Sequence, residues 1–401
     1  MPKRKVLVVT DFMVTTGFAT VAHALLTRQS QETQTFYILG INTNGDPHPL
    51  REQFPHTYPA SVSRDHDSYG VARYADLVAE IKPDLIVIQQ DAWNLPFYSQ
   101  MLERRGIPAP RTIAYCPPDA LNQGFGAKLT AHGIDYLLTP TQFGIDALRA
   151  GGYLGPGEVL PYGVDTARFH PMDRRETRKA IFYPENMWDG FVVGRADRNA
   201  PRKRYDLTLE GFAEWWHGAG KPEDGWLFCH CAIKAPIGWD LLQLADYYDI
   251  SGRLRYTAPD LVEGRGVSAS LMPKLYNSWD LHLAQANEGF GLVALESAAC
   301  GVAQAYLDYA AYGEWLKGAG IPLRPGPTYV TPGGPNTIGK APRPSDIAEA
   351  IQSVYEDRGK RDALGQAALT RATDPTYDWD RIANRFAEIC DEVLERPKVT
   401  V

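Results

Sequence analysis

The 401-residue sequence lacks the features that mark several large classes of protein. No run approaches the roughly 18 consecutive apolar residues that a membrane-spanning helix needs. Its five cysteines are too few, and odd in number, for a disulfide framework, so we expect a reducing, cytoplasmic setting. The basic start of residues 1–10 turns apolar too briefly for a signal peptide and is interpreted as a first buried strand.

The sequence also lacks an excess of positive charge. A net charge of −7 and a pI near 5.8 argue against a protein that coats nucleic acid, although a local basic groove stays open. The 44% hydrophobic and 11% aromatic contents are those of a globular protein. A chain of this length exceeds one ordinary core, so two domains of about 150–200 residues are expected.

Strand-like apolar runs alternate with helical patterns, which is typical of an α/β fold with parallel sheets. The N-terminal half has candidate strands at Lys5–Thr10, Thr35–Ile41, Leu85–Gln89, Thr112–Tyr115 and Tyr136–Thr139. The Gly- and Pro-rich residues 155–171 mark a boundary, after which a second α/β series begins. Residues 323–341 carry many Gly and Pro without periodicity and predict a long surface loop.

The most informative stretch is LHLAQANEGFGLVALESAACG, residues 281–301. An apolar strand leads into a glycine turn and then a helix, and the N-terminus of such a helix suits a phosphate. Glu288 and Glu296 flank the turn with seven residues between them. Eight residues at a rise of about 1.5 Å put the two carboxylates no more than roughly 12 Å apart. They could hold opposite ends of one ligand whose middle is a diphosphate.

This stretch resembles the paired-glutamate motif of family 4 glycosyltransferases, which are retaining enzymes with the GT-B fold. The resemblance implies that Glu288 lies beside the donor sugar and that Glu296 binds the nucleotide ribose. It also implies that the backbone of Gly289, Phe290, Gly291 and Leu292 holds the diphosphate or the sugar hydroxyls. Residues 160–171 (LPYGVDTARFHP) resemble the linker at the lobe crossover of the same family.

The resemblance implies two Rossmann-like lobes that face a central cleft. It predicts an N-terminal, acceptor-side lobe over residues 1–165 and a donor-side lobe over residues 166–376. The last segment, residues 377–401, would be a helix that returns to the N-terminal lobe.

A basic segment, residues 193–204, supplies candidate phosphate ligands. The charge of a donor diphosphate needs compensation, which Arg provides as a bidentate fork and Lys as a point charge. By resemblance, Lys203 takes the lysine position of the family. The arginine position is ambiguous, since Arg195 fits by its place on the strand and Arg198 fits by distance. The segment is also compatible with a solvated basic loop or a nucleic-acid contact.

Two N-terminal features resemble further parts of the family's site. Gly17, directly after the first strand, resembles the glycine loop that faces the donor phosphates, although the family usually has two glycines there. Asp119 ends a Pro-Pro-Asp sequence after another strand and would orient or deprotonate the acceptor hydroxyl. The alternative is an aspartate that caps a turn.

Two motifs that suggest metal sites are interpreted otherwise. Asp65-His66-Asp67 lies in a polar loop, whereas a metal-binding Asp-x-Asp pair follows an apolar strand. Cys229-His230-Cys231 lies within a strand-like run, so its side chains would alternate between faces. We therefore expect no metal and no cofactor.

The sequence thus predicts a retaining, metal-independent glycosyltransferase. The donor would be a UDP-, GDP- or ADP-linked sugar, and the acceptor a hydroxyl of a glycan or small molecule. Transfer to a hydroxylated base in DNA is an alternative, with Arg104–Arg111 as further basic lining. The pattern is also compatible with a sugar-nucleotide epimerase on the same fold, or with a binding module that lacks catalysis.

Overall fold

The computed structural model describes residues 3–396 except 44, 46, 62–66, 182, 259–266, 268–269 and 332–334. The chain divides into two compact units. Unit 1 is Met1–Gly163 together with Trp379–Val401, and unit 2 is Val164–Asp378.

Unit 1 is built on a seven-stranded sheet in the order β3-β2-β1-β4-β5-β6-β7, with every neighbouring pair parallel. Its strands are β1 Arg4–Asp11, β2 Gln34–Ile41, β3 Thr57–Pro59, β4 Leu85–Gln89, β5 Arg111–Tyr115, β6 Tyr136–Thr139 and β7 Gly157–Val159. The helices between them are α1 Gly17–Leu26, α2 Val71–Ile81, α3 Leu95–Arg104, α4 Phe125–Ala131 and α5 Gln142–Ala150.

Unit 2 has a six-stranded parallel sheet in the order β10-β9-β8-β11-β12-β13 and a separate antiparallel hairpin, β14-β15. The strands are β8 Phe191–Ala196, β9 Gly225–His230, β10 Leu254–Tyr256, β11 Leu281–Ala284, β12 Ala303–Leu307, β13 Ile321–Leu323, β14 Thr328–Val330 and β15 Ile338–Lys340. The helices are α6 Arg174–Ala180, α7 Tyr205–Gly218, α8 Leu241–Tyr247, α9 Leu271–Asn277, α10 Leu292–Ala299, α11 Ala310–Trp315, α12 Pro344–Tyr355 and α13 Arg358–Ala372.

The strands form because their apolar runs are covered on both faces, as parallel sheets require. All five residues of β4 and all six of β8 are buried. In unit 2, α7 and α12 pack closely at Gly211, where a Cβ would lie 2.6 Å from Ile347 Cβ. Any larger residue at position 211 would push these two helices apart.

The terminal helix, α14 Trp379–Glu395, belongs to unit 1, as the sequence predicted. Its apolar face buries Ile382, Phe386 and Ile389. Arg385 pairs with Glu158 of the β7 strand at 2.7 Å. The return of the chain to its first unit therefore rests on an apolar face reinforced by an ion pair.

The predicted strands of the N-terminal half are confirmed, each within a residue or two of its expected ends. The long surface loop predicted for residues 323–341 is wrong in part, because β14 and β15 pair there as a hairpin. These strands have three residues each, too short for an alternating pattern to show in the sequence.

Among the described residues, none of the helices combines the length and the apolar character needed to cross a membrane.

Asp280 holds the amino end of the unit 2 sheet together. It is 2% exposed and accepts from the backbone of Val192 at 2.8 Å. Three guanidiniums surround its carboxylate: Arg178 at 2.6 Å, Arg174 at 3.1 Å and Arg361 at 3.1 Å. Since Arg178 is itself 2% exposed, its charge depends on this carboxylate for compensation.

We expect Asp280→Asn to lower the free energy of unfolding by about 3–5 kcal/mol, because it leaves a buried guanidinium unpaired. The matched control is Asp249→Asn, which breaks the exposed pair with Lys221 and should leave stability nearly unchanged, because solvent screens that pair. Denaturant unfolding of both variants measures the difference. Equal effects of the two substitutions would contradict the role given to Asp280.

Candidate functional site

The candidate site lies at the carboxyl ends of β8 and β11, which are neighbours in the unit 2 sheet. Ligands of open parallel sheets bind at this edge, because the loops that leave the strands converge there. The loop after β8 carries the basic segment, and the loop after β11 carries Glu288. The sheet thus joins two motifs that are 85 positions apart in sequence.

Lys203 and Glu288 form the centre of the site. The Lys203 ammonium donates to the Glu288 carboxylate and, at 2.7 Å, to Asp197. Their side chains are 9% and 13% exposed. Burial lowers the pKa of Lys203 to about 8, even though Asp197 favours its charged form. Burial opposes the charge of Asp197, but Lys203 and Arg195 outweigh it and lower the pKa of that carboxyl.

The two candidate arginines, Arg195 and Arg198, differ in burial. Arg195 is fully buried, donates to the carbonyls of Leu283 and Lys203, and pairs with Asp197 at 2.8 Å. Arg198 is exposed. Arg195, at the end of β8, therefore connects Lys203 in the following loop to Leu283 of β11. Whether Arg195 or Arg198 binds a diphosphate stays a prediction.

Arg202 is a site residue that the sequence reasoning missed. Its guanidinium donates to the Asn287 carbonyl at 2.9 Å and to Glu288 at 3.4 Å, and its side chain is 34% exposed. Its position next to Lys203 was the available signal. With Arg195 and Lys203 it makes three cations against two carboxylates, Asp197 and Glu288, so the cluster carries one excess positive charge.

The helix α10 begins at the glycine turn. Gly291 has a φ of +90°, and a Cβ there would lie 2.2 Å from the Tyr312 ring, so only glycine fits this turn. The helix has no side-chain cap at its N-terminus. Phe290 is buried and stacks on Trp315, whose indole N–H donates to the Phe290 carbonyl at 2.8 Å. The turn is thus fixed by packing, while the first turn of α10 keeps its partial positive charge.

Glu296 lies on α10, one turn further along. Its carboxylate accepts from the Tyr276 hydroxyl at 2.7 Å, and Tyr276 is fully buried. Burial raises the pKa of Glu296 to about 7, while Tyr276 and Arg168 favour the charged form. An acceptor group with one oxygen already fixed suits a ligand that donates hydroxyl hydrogens.

The β14-β15 hairpin is fastened to the site through Asn287. The Asn287 side-chain amide bonds the Tyr329 hydroxyl at 2.6 Å and both the carbonyl and the N–H of Lys340, at 2.7 and 3.0 Å. Arg202 in turn donates to the Asn287 carbonyl. The hairpin therefore supports the backbone immediately before Glu288.

The motifs that suggested metal sites have other partners. Cys229 and Cys231 are both buried in the core of unit 2, and His230 bonds the Thr257 hydroxyl at 2.8 Å. Burial lowers the pKa of His230 to about 4. Asp67 accepts from the backbone N–H groups of Val71 and Ala72 and so caps α2. Asp65 and His66 lie outside the described residues.

The two candidate residues of unit 1 lie at the carboxyl edge of its sheet. Gly17 is the first residue of α1, and the preceding Thr16 caps that helix at the Ala19 N–H. Asp119 is partly buried in the loop after β5. Because each unit is described by itself, the roles predicted for Gly17 and Asp119 opposite the donor stay predictions.

Comparison with known proteins shows relatives in sequence. The chain is 32% identical over 230 residues to a D-inositol 3-phosphate glycosyltransferase of Geodermatophilus obscurus, an alignment that covers 56% of this chain and 44% of that protein. The chain spans about half the length of the curated relatives it matches. No protein-family profile matches the chain.

Solved structures show the same fold. WaaG, a glycosyltransferase involved in lipopolysaccharide biosynthesis, superposes with a TM-score of 0.71 at 14% identity over 96% of this chain and 99% of that one. A trehalose-6-phosphate protein from E. coli, solved with UDP-2-fluoro glucose bound, superposes with a TM-score of 0.65 at 14% identity over 98% and 99%. These comparisons confirm the GT-B fold and the resemblance to family 4 glycosyltransferases that the sequence predicted.

The raised pKa of Glu296 predicts a pH-dependent stability. Its folded pKa of about 7 exceeds the unfolded value near 4.3, so ionisation destabilises the folded state as pH rises between these values. We expect Glu296→Gln to raise the stability at pH 8 by about 1–3 kcal/mol. Near pH 5 the carboxyl is protonated, and the two proteins should unfold alike. Thermal unfolding at both pH values measures this, and a gain that is independent of pH would contradict it.

Proposed function

We propose that this chain is a glycosyltransferase that moves a sugar from a nucleotide-diphosphate sugar to an acceptor hydroxyl, with retention of the anomeric configuration and without a metal ion. The observation that carries the proposal is the buried Lys203–Glu288 pair at the carboxyl edge of β8 and β11. The sequence similarity to named glycosyltransferases and the GT-B fold support it. Since those relatives extend well beyond the matched region, the activity of the whole chain is part of the proposal.

The donor diphosphate is bound by the excess positive charge of the cluster. Lys203 and Arg202 are the cations nearest Glu288, and the uncapped first turn of α10 begins three residues after Gly289. A buried ammonium that two carboxylates hold in place costs little reorganisation when a phosphate arrives. Asp197 keeps Lys203 in position, and Arg195 in turn keeps Asp197 in position.

The two glutamates serve different parts of the donor. Glu296, fixed by Tyr276, accepts hydrogen bonds from the ribose hydroxyls. Glu288 holds the transferred sugar and favours the positive charge that develops on it as the diphosphate leaves. The acceptor hydroxyl then bonds the same face of the sugar, and its proton passes to the departing phosphate oxygen or to Asp119. Atoms and charges balance, with a glycoside and a nucleoside diphosphate as products.

Residues of this chain compensate the charge of the diphosphate, which a divalent cation does in metal-dependent enzymes that use nucleotide sugars. The one excess positive charge of the cluster and a helix N-terminus compensate the developing charge. Asp67 uses both of its carboxylate oxygens to cap α2. We therefore propose that a chelator leaves the transfer rate unchanged. A rate that falls with chelator and returns with Mg²⁺ would refute the metal-independent part alone.

Nucleotide binding tests the donor site directly. Thermal unfolding with UDP, GDP and ADP should show stabilisation by one of them, about 2.7 kcal/mol at one hundred times its dissociation constant. Affinity should fall as pH rises through about 8, because Lys203 then loses its charge in the free protein. In Lys203→Arg the positive charge persists at high pH. Nucleotide affinity should therefore depend less on pH above 8, whatever its absolute value. No stabilisation by any of the three nucleotides would refute the proposed function.

Turnover tests the role of Glu288. We expect Glu288→Gln to lower kcat by roughly 10²–10³-fold while nucleotide affinity stays within a few fold, since the carboxylate acts mainly on the transferred sugar. The control is Glu296→Gln, which should weaken nucleotide binding more than it lowers kcat. Initial rates at saturating donor separate the two. A reversed pattern would exchange the roles assigned to the two glutamates.

A further inference from the structure

The helix α11 packs on the glycine turn from which α10 begins. The Ala311 N–H donates to the Glu288 carbonyl at 3.3 Å, and the Trp315 indole donates to a carbonyl within the turn at 2.8 Å. Between these two contacts the Tyr312 ring lies against Gly291. The side chain of Tyr312 is therefore held at the point where α10 begins.

The backbone at the start of α11 is strained. Ala310, its first residue, has a φ of +51°, in the left-handed region that a residue with a Cβ rarely adopts. Such a conformation costs free energy and persists only where the surrounding contacts offset that cost. The direction in which α11 leaves the sheet is therefore set by its packing on the glycine turn rather than by local preference.

The Tyr312 hydroxyl makes no hydrogen bond with any described residue. The residue is 2% exposed, and a Cβ at Gly291 would lie 2.6 Å from the hydroxyl oxygen. Among the described residues, the unpartnered buried atoms that the fold closes to solvent do not include this oxygen. Because buried tyrosine hydroxyls usually have a partner, a donor left in this state at the turn points to a ligand.

Unpaired backbone donors lie at the same turn. Leu292 and Val293, the first two residues of α10, are partly exposed, and their N–H groups have no acceptor among the described residues. The helix is eight residues long and has no side-chain cap, so its first turn carries partial positive charge. A hydroxyl and two amides that all lack acceptors match the oxygens of an anion.

The surrounding charges also favour an anion. Burial raises the pKa of Tyr312 well above its ordinary value, Asp197 adds to the rise, and Arg195 and Arg202 oppose it. The hydroxyl therefore stays protonated and can donate. These three charges belong to the cluster around Glu288, which carries one excess positive charge. A phosphate next to Tyr312 would gain from that charge.

We propose that the Tyr312 hydroxyl donates to the distal phosphate of the donor, the phosphate that carries the transferred sugar. Glu288 precedes the glycine turn and Glu296 follows it on α10, so the proposed sugar and ribose contacts lie on opposite sides of Gly291. The bond from α11 to the Glu288 carbonyl puts Tyr312 on the sugar side. This inference rests on the proposed function, because it names how the same site distinguishes a nucleoside diphosphate from a monophosphate.

Removal of the hydroxyl alone tests the inference. The full chain is titrated calorimetrically with the nucleoside diphosphate that stabilises it and with the matching monophosphate. Tyr312→Phe should weaken binding of the diphosphate about tenfold, which corresponds to about 1.4 kcal/mol, because a hydrogen bond to a charged phosphate is lost. The monophosphate, which lacks the distal phosphate, should bind within about twofold of its affinity for the wild-type chain.

The unfolding temperature of the nucleotide-free chain separates a binding role from a structural one. Tyr312→Phe keeps the ring that packs on Gly291 and removes a hydroxyl without a partner, so this temperature should stay unchanged or rise slightly. The matched control is Tyr183→Phe, whose hydroxyl pairs with Ser278 at 3.0 Å near the amino end of β11. It should lower the unfolding temperature and leave the ratio of diphosphate to monophosphate affinity unchanged.

Three outcomes would overturn the inference: an equal loss of monophosphate and diphosphate affinity in Tyr312→Phe, no loss of either, or a fall in unfolding temperature as large as that of Tyr183→Phe. Failure of the proposed function is distinguishable. A wild-type chain that binds no nucleotide would refute the proposed function and this inference together, whereas wild-type binding with an unchanged affinity ratio in Tyr312→Phe would refute this inference alone.

Discussion

The parallel pairing of β8 with β11 is the constraint on which the candidate site depends. At the amino end of this pair Asp280 gathers three guanidiniums and the Val192 N–H. At the carboxyl end the same two strands release the loops that carry Lys203 and Glu288. The buried charge network fixes the strand register at the amino end. The loops that leave the carboxyl end therefore begin at defined positions. The pairing of the two strands thus determines where Lys203 and Glu288 meet.

The charges of the site are balanced for a ligand rather than for the free protein alone. Burial disfavours the charged forms of both Lys203 and Glu296. It lowers the pKa of Lys203 and raises the pKa of Glu296. Lys203 is held by Asp197 and Glu288, and Glu296 accepts from the Tyr276 hydroxyl. Such groups destabilise the free fold slightly and bind well when a complementary ligand replaces the water they lost.

The sequence predicted the parts of the molecule that depend on local pattern. Continuous apolar runs identified β1, β4 and β11, and the glycine turn with its two glutamates identified the edge of unit 2. Arg202 could not be distinguished from Arg198 by spacing, because only the fold shows which guanidinium lies next to Glu288. The β14-β15 hairpin was missed for a related reason. Its strands are short, and the side chain that fastens it, Asn287, lies about forty residues earlier in the chain.

The two sheets carry opposite charge at corresponding edges, and this difference bears on how substrates are divided between them. The loops of unit 2 hold an excess cation beside Glu288. The described strand ends and following loops of unit 1 hold five carboxylates and one arginine: Asp11, Glu52, Asp67, Asp91, Asp119 and Arg51. A nucleotide diphosphate gains free energy at the first edge and loses it at the second. Charge therefore favours the proposed donor diphosphate at the edge of unit 2 over the edge of unit 1.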